Sequence, residues 1–384
     1  MSNIFQKIKT IVNPSVESAI CVSTKLIEKK EKLDFSKIEF SFHADLIRCV
    51  AMLMVVLLHS AVEPYPIPAV VDQSVAIRWW TINIYDALSE AGVPLFVMVS
   101  GALLLQPSKI EPTKVFLKKR LKRIAPAFVF WSAIYFIWRA TVQNEALSVT
   151  SIIHYLETSP YYHFWFIYMI FGLYLITPLL RSLIANSDRD LIKYGLILWF
   201  VGTAIIPIIG IFDYRVLENR IFMSAEWAGY FILGYYLLKT KIKPRYLYTA
   251  LFGGLSVTII GTYVIRLLTT GKGYFFLNTT SANMIVVSVS LFLLLRTVPA
   301  IKIKNKFPKF AKLVHALGKN TLSIYMMHVI VLETFQKGYL GIQISLNTLN
   351  PIWQIPLLAV LTLFTCLAIT LAVKKIPILQ KIVG

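Results

Sequence analysis

Charged residues and cysteine are both scarce in this chain of 384 residues. Asp, Glu, Lys and Arg make up only 15% of it, whereas hydrophobic residues make up 57%. A mean hydropathy of +0.67 with so little charge excludes a disordered chain and is not typical of a soluble globular protein. The composition therefore predicts a chain that lies mostly inside a membrane.

The cysteines indicate neither a disulfide framework nor a metal site. Only three are present, and their spacing matches no zinc or redox motif. The motifs of soluble enzymes are missing too, including GxSxG, GxGxxG, HExxH and the P-loop. Residues 1–43 contain no long apolar core, so we expect no cleaved signal peptide, and the first span would itself direct insertion. The cysteines are Cys21, Cys49 and Cys366.

Apolar runs recur along the chain at the length that a helix needs to cross a hydrocarbon core of about 30 Å. They predict an all-α, polytopic transmembrane helix bundle of about ten spans, without an internal repeat. A transmembrane domain over 44–375 would lie between cytoplasmic tails at 1–43 and 376–384. The predicted spans are 44–62, 88–106, 124–141, 164–181, 193–211, 225–239, 247–268, 280–297, 321–337 and 353–373.

The distribution of basic residues predicts the orientation. Lys and Arg number 39 against 19 Asp and Glu, and 31 of the 39 fall in segments on the same side as the N-terminus. Seven fall on the opposite side, and Arg48 lies within the first span. By the positive-inside rule, both termini are cytoplasmic. The excess of positive charge therefore indicates membrane topology, and we expect no nucleic-acid partner.

The first span carries two polar groups within the stretch RCVAMLMVVLLH. Arg48 and His59 are eleven residues apart, so they share a helix face and lie about 16 Å apart along the axis. Ionisable groups inside a span are costly and are functional candidates. Asp45 could pair with Arg48, and Glu63 could orient His59. Snorkelling of Arg48 and interfacial packing of His59 are the alternative interpretations.

The loop KIEPTKVFLKKRLKRIAP is strongly basic and runs directly into the third predicted span, with Pro126 near the expected start of that helix. Its arginines have planar forks that suit phosphate groups, although membrane anchoring explains the same charge. The candidates for phosphate binding are Lys119, Arg120, Lys122 and Arg123.

Further histidines and aromatic residues lie in later spans. His163, Trp165 and Tyr168 mark the outer start of the fourth span, either as an interfacial aromatic belt or as a surface that stacks on sugar rings. His328 lies near the middle of the ninth span, either as a buried structural histidine or as part of a substrate site. In the second span, VMVSGALLL is more typical of close helix packing than of a nucleophile at Ser100.

Five motifs, in order over about residues 45–335, resemble those of the membrane-bound acyltransferase 3 family. DLIRCVAMLMVVLLHS is similar to its opening signature, and GVPLFVMVSGALLL to its second-span motif. RLKRIAP is similar to its element of two cytoplasmic arginines separated by two residues. HFWFIYMIFGLYLITP and LGKNTLSIYMMHVIVLE resemble later blocks. Within the family, the chain looks most similar to the enterobacterial common antigen O-acetyltransferase type.

The resemblance implies an O-acetyltransferase of the bacterial cytoplasmic membrane, whose partners include membrane lipids. It would move an acetyl group from cytoplasmic acetyl-CoA to a hydroxyl of a cell-surface polysaccharide or of its lipid-linked precursor. Acetyl-CoA would be a donor substrate, and no permanently bound cofactor or metal is expected. The alternative functions are a transporter or flippase of a glycan lipid, and a membrane scaffold. The sequence does not indicate the oligomeric state.

The resemblance also implies roles for the candidate residues. His59 would act as general base on the acceptor hydroxyl or would carry the acyl group as an intermediate. Arg48 would position the CoA arm with Asp45 holding it in place, and Ser100 would donate to the thioester carbonyl. Arg120 and Arg123, aided by Lys119 and Lys122, would hold the CoA phosphates. Acceptor choice would depend on the outer loops 63–87, 142–163 and 212–224, with candidate contacts at Glu63, His163, Trp165, Tyr168 and His328.

Overall fold

The structure, a computed structural model, describes residues 39–61, 73–107, 111–207, 226–268, 274–345 and 348–384, and contains no strand in these ranges. The prediction of an all-α fold is confirmed. The helices are α1 (Glu39–Ala61), α2 (Gln73–Ser89), α3 (Gly92–Leu104), α4 (Thr113–Thr141), α5 (Val149–Thr158), α6 (Trp165–Ala185), α7 (Arg189–Phe200), α8 (Glu226–Leu237), α9 (Pro244–Leu268), α10 (Ala282–Thr297), α11 (Ala300–Lys306), α12 (Pro308–Lys337), α13 (Pro351–Val373) and α14 (Pro377–Ile382).

Six stretches of helix within the described residues are long and apolar enough to cross a membrane. A seventh is present if α10 and α11, which meet at an angle of 56°, form one broken span. The count of ten spans and the cytoplasmic termini stay predictions, because two predicted spans run into residues 208–225, which lie outside the described ranges. The six stretches are Glu39–Ala61, Val75–Leu104, Thr113–Thr141, Tyr162–Ala185, Pro244–Leu268 and Pro351–Val373.

Two helices begin well before the predicted spans. α4 starts at Thr113, so the prediction that Pro126 lies near a helix start is wrong, and this proline lies in the helix interior. α12 starts at Pro308, whereas the predicted span starts at 321. Lys and Arg are good helix formers, so a basic segment continues a membrane helix into the aqueous phase. This extension is what presents the basic residues of α4 to the rest of the bundle.

Residues 73–87, predicted as part of an outer loop, instead form most of α2. Trp79 and Ile82 on this helix are buried, and its Asn83 side chain donates to the Ile259 carbonyl on α9 at 3.1 Å. Burial of these large side chains explains why the segment is helical and packed. The predicted loop 142–163 likewise contains α5, whose start is capped by the Ser148 hydroxyl.

α3 and α8 pack at unusually close range. A Cβ atom added to Gly101 would lie 1.8 Å from the Phe231 carbonyl oxygen, and one added to Gly234 would lie 1.9 Å from the Met98 carbonyl oxygen. Each glycine therefore allows the backbone of the other helix to approach it, as small residues do between membrane helices. The small-residue stretch VMVSGALLL thus serves helix packing.

α12 packs closely against α1, and the end of the chain packs against α4. Gly318 approaches α1 so closely that an added Cβ would lie 2.8 Å from the Cα atom of Asp45. At the end of the chain, α14 packs against α4, and Trp131 on α4 donates from Nε1 to the Val383 carbonyl at 3.3 Å. Residues 377–383, predicted as part of a tail, therefore pack against the bundle, with Val383 buried.

Candidate active site

Asp45 and Arg48 form the ion pair that their spacing on α1 predicts. Arg48 Nη1 lies 3.3 Å from Asp45 Oδ1. The second carboxylate oxygen, Oδ2, lies 2.8 Å from Nδ1 of His315 on α12. Asp45 is buried, so these two contacts hold its carboxylate in place. Arg48 is thereby oriented by a residue that is itself anchored to a second helix.

A cavity of about 110 Å³ opens beside Arg48, between α1, α3, α4, α6 and α12. Arg123 on α4 lines it as well, so two guanidinium groups from different helices face one space. Ser100 also lines it, but its hydroxyl donates to the Phe96 carbonyl of its own helix at 2.7 Å. The remaining lining residues are Phe96, Ile124, Phe166, Ile167, Ile170, Tyr174, Thr321, Leu322 and Tyr325.

A third cation approaches the same region from α13. Lys374 donates from Nζ to Asn320 Oδ1 at 2.8 Å. Burial, together with the nearby charges of Arg123 and Lys319, lowers the pKa of Lys374. Arg123 also interacts electrostatically with Arg48. Positive charges that crowd in this way repel one another, so the region is suited to bind an anion.

The other basic residues of the predicted phosphate site have different surroundings. Arg120 lies over the rings of Phe116 and Tyr174, and its buried Nε has no hydrogen-bond partner among the described residues. Lys119 instead pairs with Glu111 at 2.8 Å, and this hydrogen bond lowers the pKa of the Glu111 carboxyl. Lys122 is exposed and lies away from the cavity.

Helical periodicity explains why the structure separates these residues into two groups. Arg120 and Arg123 are three apart on α4 and share a face towards the bundle. Lys119 and Lys122 lie on the adjacent, exposed face. The structure thus brings Arg123 to the cavity and Arg120 to its edge beside Tyr174, but does not bring the two lysines there.

Three histidines meet deeper in the bundle, in an arrangement that we term the histidine cluster: His59 on α1, His163 before α6 and His328 on α12. Ring centroids lie 5.1 Å apart for His59 and His328, and 5.0 Å apart for His163 and His328. His163 and His328 are fully buried, whereas His59 is half-buried. The described residues contain no group of three or more potential ligands that could hold a metal ion.

Tyr325 lies between the cavity and the histidine cluster. Its ring lines the cavity and lies 5.4 Å from the His328 ring and 5.5 Å from the His163 ring, centroid to centroid. Its hydroxyl donates to the His163 carbonyl, and His328 Nδ1 lies 2.5 Å from the Tyr325 carbonyl. If Nδ1 carries the proton of that hydrogen bond, Nε2 of His328 keeps its lone pair. Thr321, Tyr325 and His328 follow one another along a single face of α12.

Two predicted acceptor contacts, Trp165 and Tyr168, lie apart from the histidine cluster. Trp165 is 42% exposed and packs against Trp227 on α8, and Tyr168 is 37% exposed and donates to the Leu156 carbonyl. Both therefore lie at the periphery of the bundle. Glu63 lies outside the described residues. The acceptor role of these three residues stays a prediction.

The sequence prediction missed several residues at the site. Lys374 and Asn320 come from α13 and α12, and His315 completes the contacts of Asp45. Arg181 on α6 donates from Nε to the Leu104 carbonyl at 2.6 Å and lies 3.7 Å from Glu111. Each is distant in sequence from the residues it contacts. For Lys374 and Arg181, charge at the end of an apolar segment is a signal in the sequence, whereas Asn320 is uncharged and has no such signal.

Comparison with known proteins identifies the family to which the chain belongs. A sequence model described as an acyltransferase domain, that of the acyltransferase 3 family, matches residues 43–371. Comparison with curated proteins and with solved structures returned no match. The matched range contains the ion pair on α1, the cavity and the histidine cluster. The chain therefore belongs to the acyltransferase 3 family of membrane acyltransferases.

Proposed function

We propose that this protein transfers an acetyl group from cytoplasmic acetyl-CoA to a hydroxyl of a cell-surface polysaccharide or of its lipid-linked precursor, in the bacterial cytoplasmic membrane. One observation carries the proposal. The arginine-lined cavity and the histidine cluster both lie along facing sides of α1 and α12, with Tyr325 between them. A cavity suited to an anionic donor and a candidate base are thus connected through the rings of Tyr325 and His328.

The donor end is where positive charge concentrates. Coenzyme A is polyanionic, and its phosphates would bind Arg123 and Lys374, with Arg120 at the edge of the cavity. The pantetheine arm would then extend past Arg48 and Ser100 towards Tyr325. Because the Ser100 hydroxyl hydrogen already bonds to its own helix, it must rotate before it can donate to a thioester carbonyl.

The partly exposed imidazole of His59 would act as the general base. The acceptor hydroxyl oxygen attacks the thioester carbonyl carbon while the imidazole takes the hydroxyl proton. The carbon–sulfur bond then breaks, and the coenzyme A thiolate leaves and receives that proton. An ester and free coenzyme A are the products. An acyl group carried briefly on His59 gives the same products in two steps.

The proposal is tested with membranes from the cells that make the protein, which supply the natural acceptor. Radiolabelled acetyl-CoA is added, and label in the glycan is measured for wild type, His59→Ala and His154→Ala. His154 lies on α5, outside the histidine cluster, and is the matched control. We expect label with wild type and the control and none with His59→Ala. Equal labelling by all three variants would refute the assignment of His59. Absence of label from wild type, with glycan lipid crossing vesicles, would favour the transporter alternative.

A further inference from the structure

Glu333, near the C-terminal end of α12, accepts three hydrogen bonds from side chains on other segments. Trp138 donates from Nε1 to Oε2 at 2.9 Å, and Gln143 donates from Nε2 to the same oxygen at 3.5 Å. The Tyr161 hydroxyl donates to Oε1. An ionised carboxylate offers about four acceptor positions, so one remains for a further donor. Glu333 is half-buried, so that position is accessible.

Aromatic rings connect Glu333 to the candidate base. The Tyr161 ring lies 5.2 Å from that of Tyr162, and Tyr162 lies 5.2 Å from His59, centroid to centroid. Tyr162 is 51% exposed although rings of Tyr161, His163 and His59 surround it. The Tyr162 side chain thus lies at an opening to the exterior and contacts three other rings. His59 is therefore approached from this side through an aromatic surface.

The charges beside this opening do not favour an anion. Arg139 lies over the Tyr161 ring at 5.0 Å, but its Nη1 is paired with Glu145 Oε2 at 2.9 Å. Its Nε donates to the Pro160 carbonyl at 3.3 Å. Among the described residues, Glu333 forms no ion pair within 4.0 Å, although the exposed Lys337 lies one turn further along α12. An anionic ligand would be repelled, whereas hydroxyl groups would find an acceptor and aromatic faces.

We propose that Trp138, Gln143, Tyr161, Tyr162 and Glu333 form the acceptor subsite, which binds a neutral, hydroxyl-rich glycan and directs one of its hydroxyls at His59. This inference rests on the proposed function, because it assigns the second substrate of the same reaction. A sugar ring packs on the exposed face of Tyr162, and a neighbouring hydroxyl donates to Glu333. The donor reaches the histidine cluster from the opposite side, past Tyr325.

The test separates acceptor use from donor use. Equilibrium binding of radiolabelled acetyl-CoA to the purified protein reports the donor site alone, and label in the endogenous glycan of native membranes reports the complete reaction. Glu333→Gln preserves shape and removes the charge. Glu157→Gln is the control, because it removes an exposed carboxylate on α5, outside the subsite. Tyr162→Ala is a second variant, at a side chain that is 51% exposed.

We expect Glu333→Gln and Tyr162→Ala to lower glycan labelling at least tenfold while acetyl-CoA binding changes less than twofold. Glu157→Gln should change neither. Unchanged labelling in Glu333→Gln and Tyr162→Ala would overturn the subsite, as would a parallel loss of donor binding. Increased labelling in Glu333→Gln would indicate an anionic acceptor and would contradict the proposed chemistry. Absence of labelling from wild type would instead refute the proposed function itself.

Discussion

Replacement of Arg123 by alanine is expected to weaken acetyl-CoA binding far more than replacement of its neighbour Lys122. Both changes remove one positive charge from the same helix, one residue apart. Both side chains are exposed, but Arg123 lines the cavity beside Arg48 and Lys122 does not. A hydrogen bond to a charged group contributes about 1.5–3 kcal/mol, which corresponds to a change in Kd of roughly 10- to 150-fold. An exposed charge that is one residue away should change Kd less than about twofold.

The measurement is equilibrium binding of radiolabelled acetyl-CoA to purified wild type, Arg123→Ala and Lys122→Ala at several salt concentrations. Salt should weaken wild-type binding, and Arg123→Ala should be less sensitive to salt because one phosphate contact is gone. Dephospho-CoA should bind more weakly than coenzyme A to wild type. Equal losses in the two variants would refute the reasoning, since overall charge would then matter more than position in the cavity.

Three further predictions concern packing and charge. Gly101→Ala should lower Tm, because overpacking against α8 costs about 1–3 kcal/mol, whereas Gly253→Ala should not, since nothing lies within 4 Å of its added Cβ. Lys374→Met should raise the Tm of the ligand-free protein, because a partly buried cation beside Arg123 is removed, and should weaken acetyl-CoA binding in the same preparation. Glu111 has a lowered pKa, so its contribution to stability is present above about pH 4.3 and is lost as pH falls through its folded pKa. The Tm difference between wild type and Glu111→Gln should therefore be largest at neutral pH and vanish in acid. A Tm difference for Glu111→Gln that does not change with pH would contradict the pH prediction. A Tm loss in Lys374→Met, or equal Tm losses in Gly101→Ala and Gly253→Ala, would contradict the other two.

Much of the fold could be predicted because apolar length and local periodicity are properties of contiguous sequence. The eleven-residue spacing of Arg48 and His59 predicts a shared face, and both side chains do face α12 or the cavity beside it. The three-residue spacing of Arg120 and Arg123 likewise predicts their common side of α4. The sequence does not predict the helix at residues 73–87, because the polar residues of this segment are typical of a loop. The structure shows that Trp79 and its neighbours are buried.

The rest of the site depends on contacts between segments far apart in sequence. Lys374 approaches Arg123 across about 250 residues, and Glu333 meets Tyr161 across 172. No local sequence pattern predicts these contacts, because they depend on which helix faces pack together. The sequence alone predicts acceptor contacts at Glu63, His163, Trp165, Tyr168 and His328. Of these, Trp165 and Tyr168 lie on the periphery of the bundle, and the acceptor role of the five stays a prediction. The resemblance to the enterobacterial common antigen type stays a prediction.

Donor and acceptor are proposed to reach His59 from opposite faces of the membrane. Sealed vesicles of known orientation test this proposal most directly, with radiolabelled acetyl-CoA outside and the glycan acceptor present in the membrane. We expect label in the glycan only when the face bearing Arg123 is accessible to acetyl-CoA, and none in His59→Ala although this variant still binds the donor. Equal labelling from both vesicle orientations, or normal labelling by His59→Ala, would contradict the account.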